Sequence, residues 1–314
     1  MLSYLAKRVL AAIPTLLLVG VAVFVLVRLV PGDPAQVMLG DSADEESLAA
    51  AHAAMGLDKP IFTQFTIWAT NALQGDLGTS LMTDESVGTL VFDRFAVSAP
   101  IVLIAVALAT IVAVLLGLWA ALHQGKAADL AIVTGATVLL SIPTFWLGLM
   151  LLLVFGLKLG WLPVVGYVPF SEDAHEAIRF LVLPSIALAL VEAGVLTRMM
   201  RASAVDVLRL DYVLHACAKG LDDDTVLARH VFPNAFAPTL TLVGLILGNL
   251  LGGIAVIETV FTLPGLGRLM VDAVLARDYP VIQACLLFTA SIYIVVNLVV
   301  DLIYPVFDPR IVNR

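Results

Sequence analysis

Charge is what this sequence has least of. Only 13% of its 314 residues are Asp, Glu, Lys or Arg, 61% are hydrophobic, and the mean hydropathy is +1.03. A soluble domain carries about 25% charged and about 45–50% apolar residues, so the composition excludes an ordinary soluble protein and implies a polytopic membrane protein. The formal charge of −8 argues against nucleic acid as a partner. Cysteine is nearly absent. Cys217 lies in a polar loop and Cys285 in an apolar run, so no disulfide framework is expected, and neither has metal-ligand spacing. No G-x-x-x-x-G-K-[ST] occurs, since HQGKAAD lacks the leading Gly and the Ser/Thr; the chain cannot hold ATP in a P-loop. The five histidines, at 52, 123, 175, 215 and 230, form neither HExxH nor an i, i+4 pair and read as solvated loop residues. No catalytic residue, metal or cofactor is expected.

What is present is a series of long apolar runs. Val9–Val27 is followed by Ala99–Leu122, Leu130–Leu157 with a kink at Pro143, a short fourth run Phe180–Leu196, the Gly-rich Phe236–Val260, and Val281–Tyr304. About 20 apolar residues cross the hydrocarbon as a helix, so an all-α fold of about six transmembrane helices is expected. Arg28 and PGDP follow the first run without a small-residue cleavage site, which argues against a signal peptide. The segments 1–8, 123–128, 198–234 and 305–314 hold 10 of the 17 Lys and Arg in 61 residues, whereas 28–97, 158–179 and 262–280 hold 7 in 111. By the positive-inside rule both ends are cytoplasmic. The expected organisation is an N-terminal membrane helix (1–30), an acidic extracytoplasmic insertion (31–97), a five-helix core (98–304) and a cytoplasmic tail (305–314). Within the insertion an amphipathic helix is expected near 44–55, and Phe65 and Trp68 suit a membrane interface.

One loop is more than a connector. DYVLHACAKGLDDDTVLARHVFPNA, residues 211–235, reads as a small structure. Asp211 suits an N-cap, Lys219 the last turn and Gly220 the C′ position of a short helix. A second helix is expected from about Asp222 to near Pro233. Tyr212, Ala216 and Lys219 share a stripe, where Ala216 would let another surface approach. Two readings stand: a helix lying on the membrane surface, or a peg docked into another protein.

This loop resembles the cytoplasmic coupling loop of ATP-binding-cassette (ABC) importer permeases. Ala216, Gly220 and Pro233 fall at the family spacing, with Phe232 where the family has Leu, while Leu214, His215 and His230 depart from the general pattern. PGDP, GLDKP, GDLG, SIPTFWLG, GWLPVVGY, ETVFTLPGLGRL, RDYPVIQ, NLVVDLIY and DPRI extend the resemblance along the chain and are similar to the dipeptide/oligopeptide/nickel branch. The resemblance implies type I ABC importer architecture in a bacterial inner membrane and a coupling loop at 203–235. It implies as partners a second homologous permease, two ATPase subunits and an extracytoplasmic solute-binding protein. Asp211, Tyr212, Ala216, Lys219, Gly220 and Leu221 would meet an ATPase. The solute would be peptide-like, with a nickel chelate or opine as alternatives within the family.

Four polar groups lie in or beside the runs: Glu192, Asn249, Asn297 and Asp301. Intramembrane acids are costly and often functional. Asp301 and Glu258 read as structural. Glu192 and Asn249 are the candidates for a translocation path, Glu192 either lining it or fixing helix packing. A proton-coupled secondary transporter using Glu192 or Asp301 as relay is the competing reading; it leaves the 211–220 helix without a role. An intramembrane protease would need a Ser–His or paired-Asp constellation, and no His lies in any run.

Overall fold

The computed structural model describes residues 2–29, 33–39, 44–54 and 56–307. The helices are α1 (Leu2–Leu29), α2 (Pro34–Leu39), α3 (Glu45–Ala54), α4 (Ile61–Leu73), α5 (Val87–Leu122), α6 (Ala127–Ser141), α7 (Thr144–Leu151), α8 (Ala174–Leu208), α9 (Asp211–Ala218), α10 (Asp223–Val226), α11 (Phe232–Gly253), α12 (Ala255–Val260), α13 (Leu266–Ala276) and α14 (Tyr279–Phe307). Wider π turns extend α7 through Leu152–Lys158 and join α10 to α11 through Leu227–Val231. Among the described residues the one β element is an isolated bridge between Thr79 and Ser86. The DPRI motif of the tail, and Val30 to Gly32, which include the first two residues of PGDP and of the insertion, lie outside the described residues.

Among the described residues five helices are long and apolar enough to cross a membrane. The third run expected at 130–157 is not a kinked helix. It breaks between α6 and α7 and turns through 97°, so it makes a sixth span only if both arms are counted together. The cause is Pro143, which cannot donate a backbone bond and pushes Ile142 out of the helical region; Ile142 is extended at φ −88°, ψ 125°.

Small residues set the packing of the core. Ala105, Ala109 and Ala113 of α5 and Ala187, Ala189 and Ala193 of α8 are all buried in one core cluster. Without bulky side chains between them the two backbones come close, the usual device of membrane helices. A Cβ on Gly194 of α8 would stand 2.7 Å from the carbonyl oxygen of Ala136 in α6, so α6 packs directly on that backbone. Ser185 bonds the Ile101 carbonyl at 3.3 Å, and Gly117 abuts Met200 further along, so α5 and α8 run parallel. α6 runs against them, with Asp129 beside Arg201 and Ala136 beside Gly194.

The fold therefore has two distinct ends. One holds the close of α5, the start of α6 and the end of α8. The other holds the starts of α5, α8 and α14. Val27 clusters with Val281, Ile282 and Cys285, so α1 opposes α14 and its N-terminal end lies with the close of α8.

Candidate functional site

α8 does not stop at Leu196. It runs 35 residues to Leu208, past Arg198 and Arg201, and delivers the polar loop beyond the apolar core. There α9 spans eight residues. Its N-cap is Leu210, not Asp211, and no side chain caps it; Asp211 is the first helical residue, with its carboxylate in the first turn where the helix dipole favours a negative charge. The C-terminus is closed by backbone alone. Gly220 N–H bonds the Cys217 carbonyl at 2.9 Å and Leu221 N–H bonds the Ala216 carbonyl at 3.4 Å. This is the Schellman pair, and it needs a left-handed residue at C′. Gly220 supplies it at φ +82°, as the sequence suggested. Lys219 occupies the C-cap, one residue beyond the last turn.

The next turn is capped by Asp222, which accepts the Thr225 N–H at 3.1 Å. The Thr225 hydroxyl and amide hold the Asp222 carboxyl below the usual carboxylate range. The second helix does not end near Pro233. α10 passes through the π turn into α11, so the loop's second half is the foot of the fifth span. A π turn opens the ladder where Pro233 has no N–H to give and its ring would press on the carbonyl four residues back.

Apolar pegs hold α9 to the chain. Val213, Ala216, Val226 and Val231 are buried in one cluster with Met200, Ala204, Val205 and Val207 of α8. This corrects the stripe reading of Ala216: its side chain is 6% exposed and faces the chain's own core. Its small size lets α9 approach its own support. The outward face carries Asp211, Tyr212, Leu214, His215, Lys219, Gly220 and Leu221, all exposed. Leu214 at 54% and Leu221 at 40% are apolar side chains on a polar loop, and the Tyr212 hydroxyl donates to the His230 carbonyl at 3.2 Å.

Above this loop, Arg201 grips Asp129 in a two-pronged ion pair, while Gly125 N–H donates to Asp129 at 2.9 Å. Bidentate guanidinium–carboxylate pairs fix orientation as well as charge, so the start of α6 is tied to α8 beside the loop. The pair was not read from the sequence, although both partners are rare charges at the edges of apolar runs.

A cavity of about 580 Å³ opens between α6, α8 and α11, lined among others by Val133, Leu140, Val195, Arg198, Met199 and Leu242. Glu192 precedes Val195 by three residues and Asn249 follows Leu242 by seven. Each therefore lies on the helix face that forms one wall of the cavity, one and two turns beyond it. Glu192 is half-buried and Asn249 exposed. No hydrogen bond joins the two, and among the described residues Glu192 has no side-chain partner.

At the opposite end Glu258 is fully buried. Its carboxylate accepts from the Ser98 hydroxyl at 2.5 Å and from the Arg268 N–H at 2.8 Å, with the Gly267 N–H beside it. Ser98 in turn accepts the Leu266 N–H at 2.8 Å. Two side chains from elsewhere in the sequence thus cap the N-terminus of α13, whose own N-cap residue, Gly265, has no side chain to do so. That is a structural role, as expected for this acid. Ser80 donates to Asp278 at 2.5 Å nearby, both buried, tying the GDLGTS stretch to the entrance of α14.

Comparison with known proteins decides the family. Residues 113–313 match the model of the binding-protein-dependent transport system inner membrane component, and residues 1–102 match the N-terminal model of such membrane components. The chain belongs to this family. Among its relatives, a Brucella suis protein named as a peptide transport system permease is 38% identical over 311 residues, 99% of each chain. The glutathione transport system permease protein of Salmonella choleraesuis is 41% identical over 311 residues, again 99% of each. The chain is thus an ABC importer permease subunit of the peptide family: an all-α, multi-pass inner-membrane protein that works in a complex with other subunits. The secondary-transporter and intramembrane-protease readings fall with that assignment.

Proposed function

We propose that this permease pairs with a second, homologous permease to form the path for a peptide-like solute, and that two separate ATPase subunits drive it through α9. One observation carries the reading: α9 is closed at its C-terminus by backbone, pegged to α8 by buried valines, and presents Tyr212, Leu214, Lys219 and Leu221 outward. A helix built this way transmits a push to α8 without deforming. An extracytoplasmic binding protein delivers the solute, and the chain's part is mechanical, with ATP hydrolysis left to its partners. The relatives' names support a peptide or glutathione; a di- or oligopeptide is the cargo proposed, with a nickel chelate or opine as the alternative within the family.

The orientation proposed places α9 and both termini in the cytoplasm, and residues 31–97 outside against the binding protein. Glu192 and Asn249 line the path above the inner cavity, where the Glu192 carboxylate meets a cationic group such as a peptide amino terminus. Glu192→Gln keeps size and hydrogen bonding but removes the charge. Normal assembly with reduced import of solutes bearing a free amine is expected; equal import of amine-bearing and amine-free solutes by variant and parent would leave Glu192 only a packing role. For the docking surface, Leu221→Asp is expected to insert and fold normally yet lose ATPase subunits on co-purification, and retention of a full complement would refute docking through α9.

A further inference from the structure

α4 is an apolar helix with little cover. None of its 13 residues is buried, and Ile61, Phe62 and Leu73 are 61%, 75% and 88% exposed. It is nonetheless fixed in place. Gly20, Phe24 and Arg28, spaced four apart on one face of α1, receive it. Trp68 lies against Gly20, and Phe65 stacks edge-on to Phe24 with ring centroids 5.2 Å apart. Arg28 folds back over the Phe24 ring and donates twice to the Gln64 side-chain oxygen, at 3.1 and 2.8 Å.

This contact sets the depth of α4. The apolar span of α1 closes at Leu29. Phe24 lies five residues earlier, about 7–8 Å along the axis, which is the depth at which interfacial helices bury their apolar side. The α1 surface around the contact is apolar and exposed at Leu17, Leu18, Val21 and Val25, so the span offers lipid a surface beside α4. The composition of α4 agrees. Residues 61–73 contain no charge. Thr66 and Thr70 turn their hydroxyls back onto the Thr63 and Thr66 carbonyls at 2.9 and 2.7 Å, while the Gln64 amide donates to the Leu57 and Lys59 carbonyls. Its sides also differ. At about 100° per residue, Phe62, Ala69 and Leu73 fall on one flank and Gln64 and Asn71 on the opposite one.

We infer that α4 is seated in the bilayer beside α1, with phospholipid acyl chains covering the Phe62–Ala69–Leu73 flank and the Asn71 flank turned to the headgroups and water. Lipid contact then holds the first part of the insertion down against the membrane, and because the helix is uncharged the attraction does not depend on anionic lipid. This rests on the chain being membrane-inserted, not on the proposed orientation, which decides only the leaflet.

The test uses the assembled transporter in nanodiscs of zwitterionic lipid, with Cys217 and Cys285 replaced by alanine and a nitroxide placed at Phe62→Cys, Leu73→Cys or Asn71→Cys in turn. The ratio of oxygen to water-soluble nickel-chelate relaxation is expected to be several-fold higher at positions 62 and 73 than at 71. Equal ratios at all three would overturn the proposal, as water would then bathe both flanks. Exclusion of both reagents at 62 and 73 would also overturn it, since a protein would then be the covering partner. Both faces of a nanodisc are open to the reagents, so an inverted topology or a failure of ATPase docking leaves this result unchanged.

Discussion

The two ends of the permease are held by different means. At the α9 end the loop's own polar groups lie outside and α9 is fastened by apolar packing, with four buried side chains from the loop and its flank, one side-chain cap at Asp222 and one backbone closure; the Asp129–Arg201 pair is the polar tie beside it, between α6 and α8. At the α13 end the polar groups lie inside. Glu258, Ser98, Ser80 and Asp278 are all buried and bonded to one another or to backbone amides. Apolar packing is non-directional and tolerates small displacements, whereas a buried carboxylate with three donors has one low-energy geometry and a steep cost for leaving it. On the function proposed above, the contrast would suit an end that is pushed and an end that keeps one arrangement. Ser98 and Ala120 are 22 residues apart on α5, so the two regimes are separated by about 33 Å of continuous helix.

The largest effect should come from breaking the buried acid. Glu258→Ala strands the Ser98 hydroxyl and the α13 amides, at a cost of about 3–5 kcal/mol, read as a fall in thermal midpoint of the reconstituted transporter. Gly265→Ala attacks the same latch from the other side, since its Cβ would stand 2.0 Å from a Glu258 carboxylate oxygen; most of that loss is expected. At the other end, Ala216→Trp overpacks the cluster beneath α9. A loss of about 1–3 kcal/mol is expected, seen as faster amide exchange across 211–231, so this variant reports stability and not docking. Leu221→Asp sharpens the comparison, because an exposed position should change stability by no more than about 0.5 kcal/mol while ATPase co-purification falls.

The smallest effect concerns acid. Asp222 titrates below its ordinary range in the folded loop. The stabilisation its cap supplies is therefore complete above the unfolded carboxylate value and is lost only as pH falls through the lower folded one. Amide exchange at Thr225, corrected for the intrinsic pH dependence of exchange, should be unchanged between pH 7 and about pH 4, where an ordinary Asp carboxyl is already substantially protonated. A loss of protection in that interval would show that the carboxylate is not held down. A single cysteine at Ser47, exposed in α3, placed in a Cys-free chain, tests which end faces out: labelling by an impermeant thiol reagent from outside is expected, and labelling only after membrane disruption would reverse the orientation.

What the sequence made legible was local. Lys219-Gly220 announced a helix end because a left-handed residue has a chemical signature, and Pro143 announced a kink because it has no backbone donor, where the structure has a full break. The 97° turn was not legible, because a proline says where backbone bonds fail and not which way the chain leaves. The end of α8 was misplaced by 12 residues: hydropathy records where lipid stops, and a helix continues past Arg198 without regard to it. Pro233 misled in the other direction, since a π turn absorbed it. Asp129 and Arg201 are 72 residues apart, and Ser98 and Glu258 160; pairs of that separation leave no periodicity to read. Ala216 was assigned to the right helix and the wrong side, because a stripe of three residues does not say which face is the inner one.

The Asp129–Arg201 clasp also fixes the kinematics of the chain. With α6 locked to α8 by an ion pair at one level and by backbone contact at Gly194 higher up, neither helix can slide or roll alone. Together with α5, which packs along α8 through alanines, they form a single strut. If α9 is pushed as proposed, the strut carries the displacement as a unit as far as Ile142–Pro143, where α6 loses its helical bonds. Beyond that corner α7 is itself packed on α8, and its Gly148 lies against Phe261 and Ile257, so the proline corner redirects the chain without releasing it.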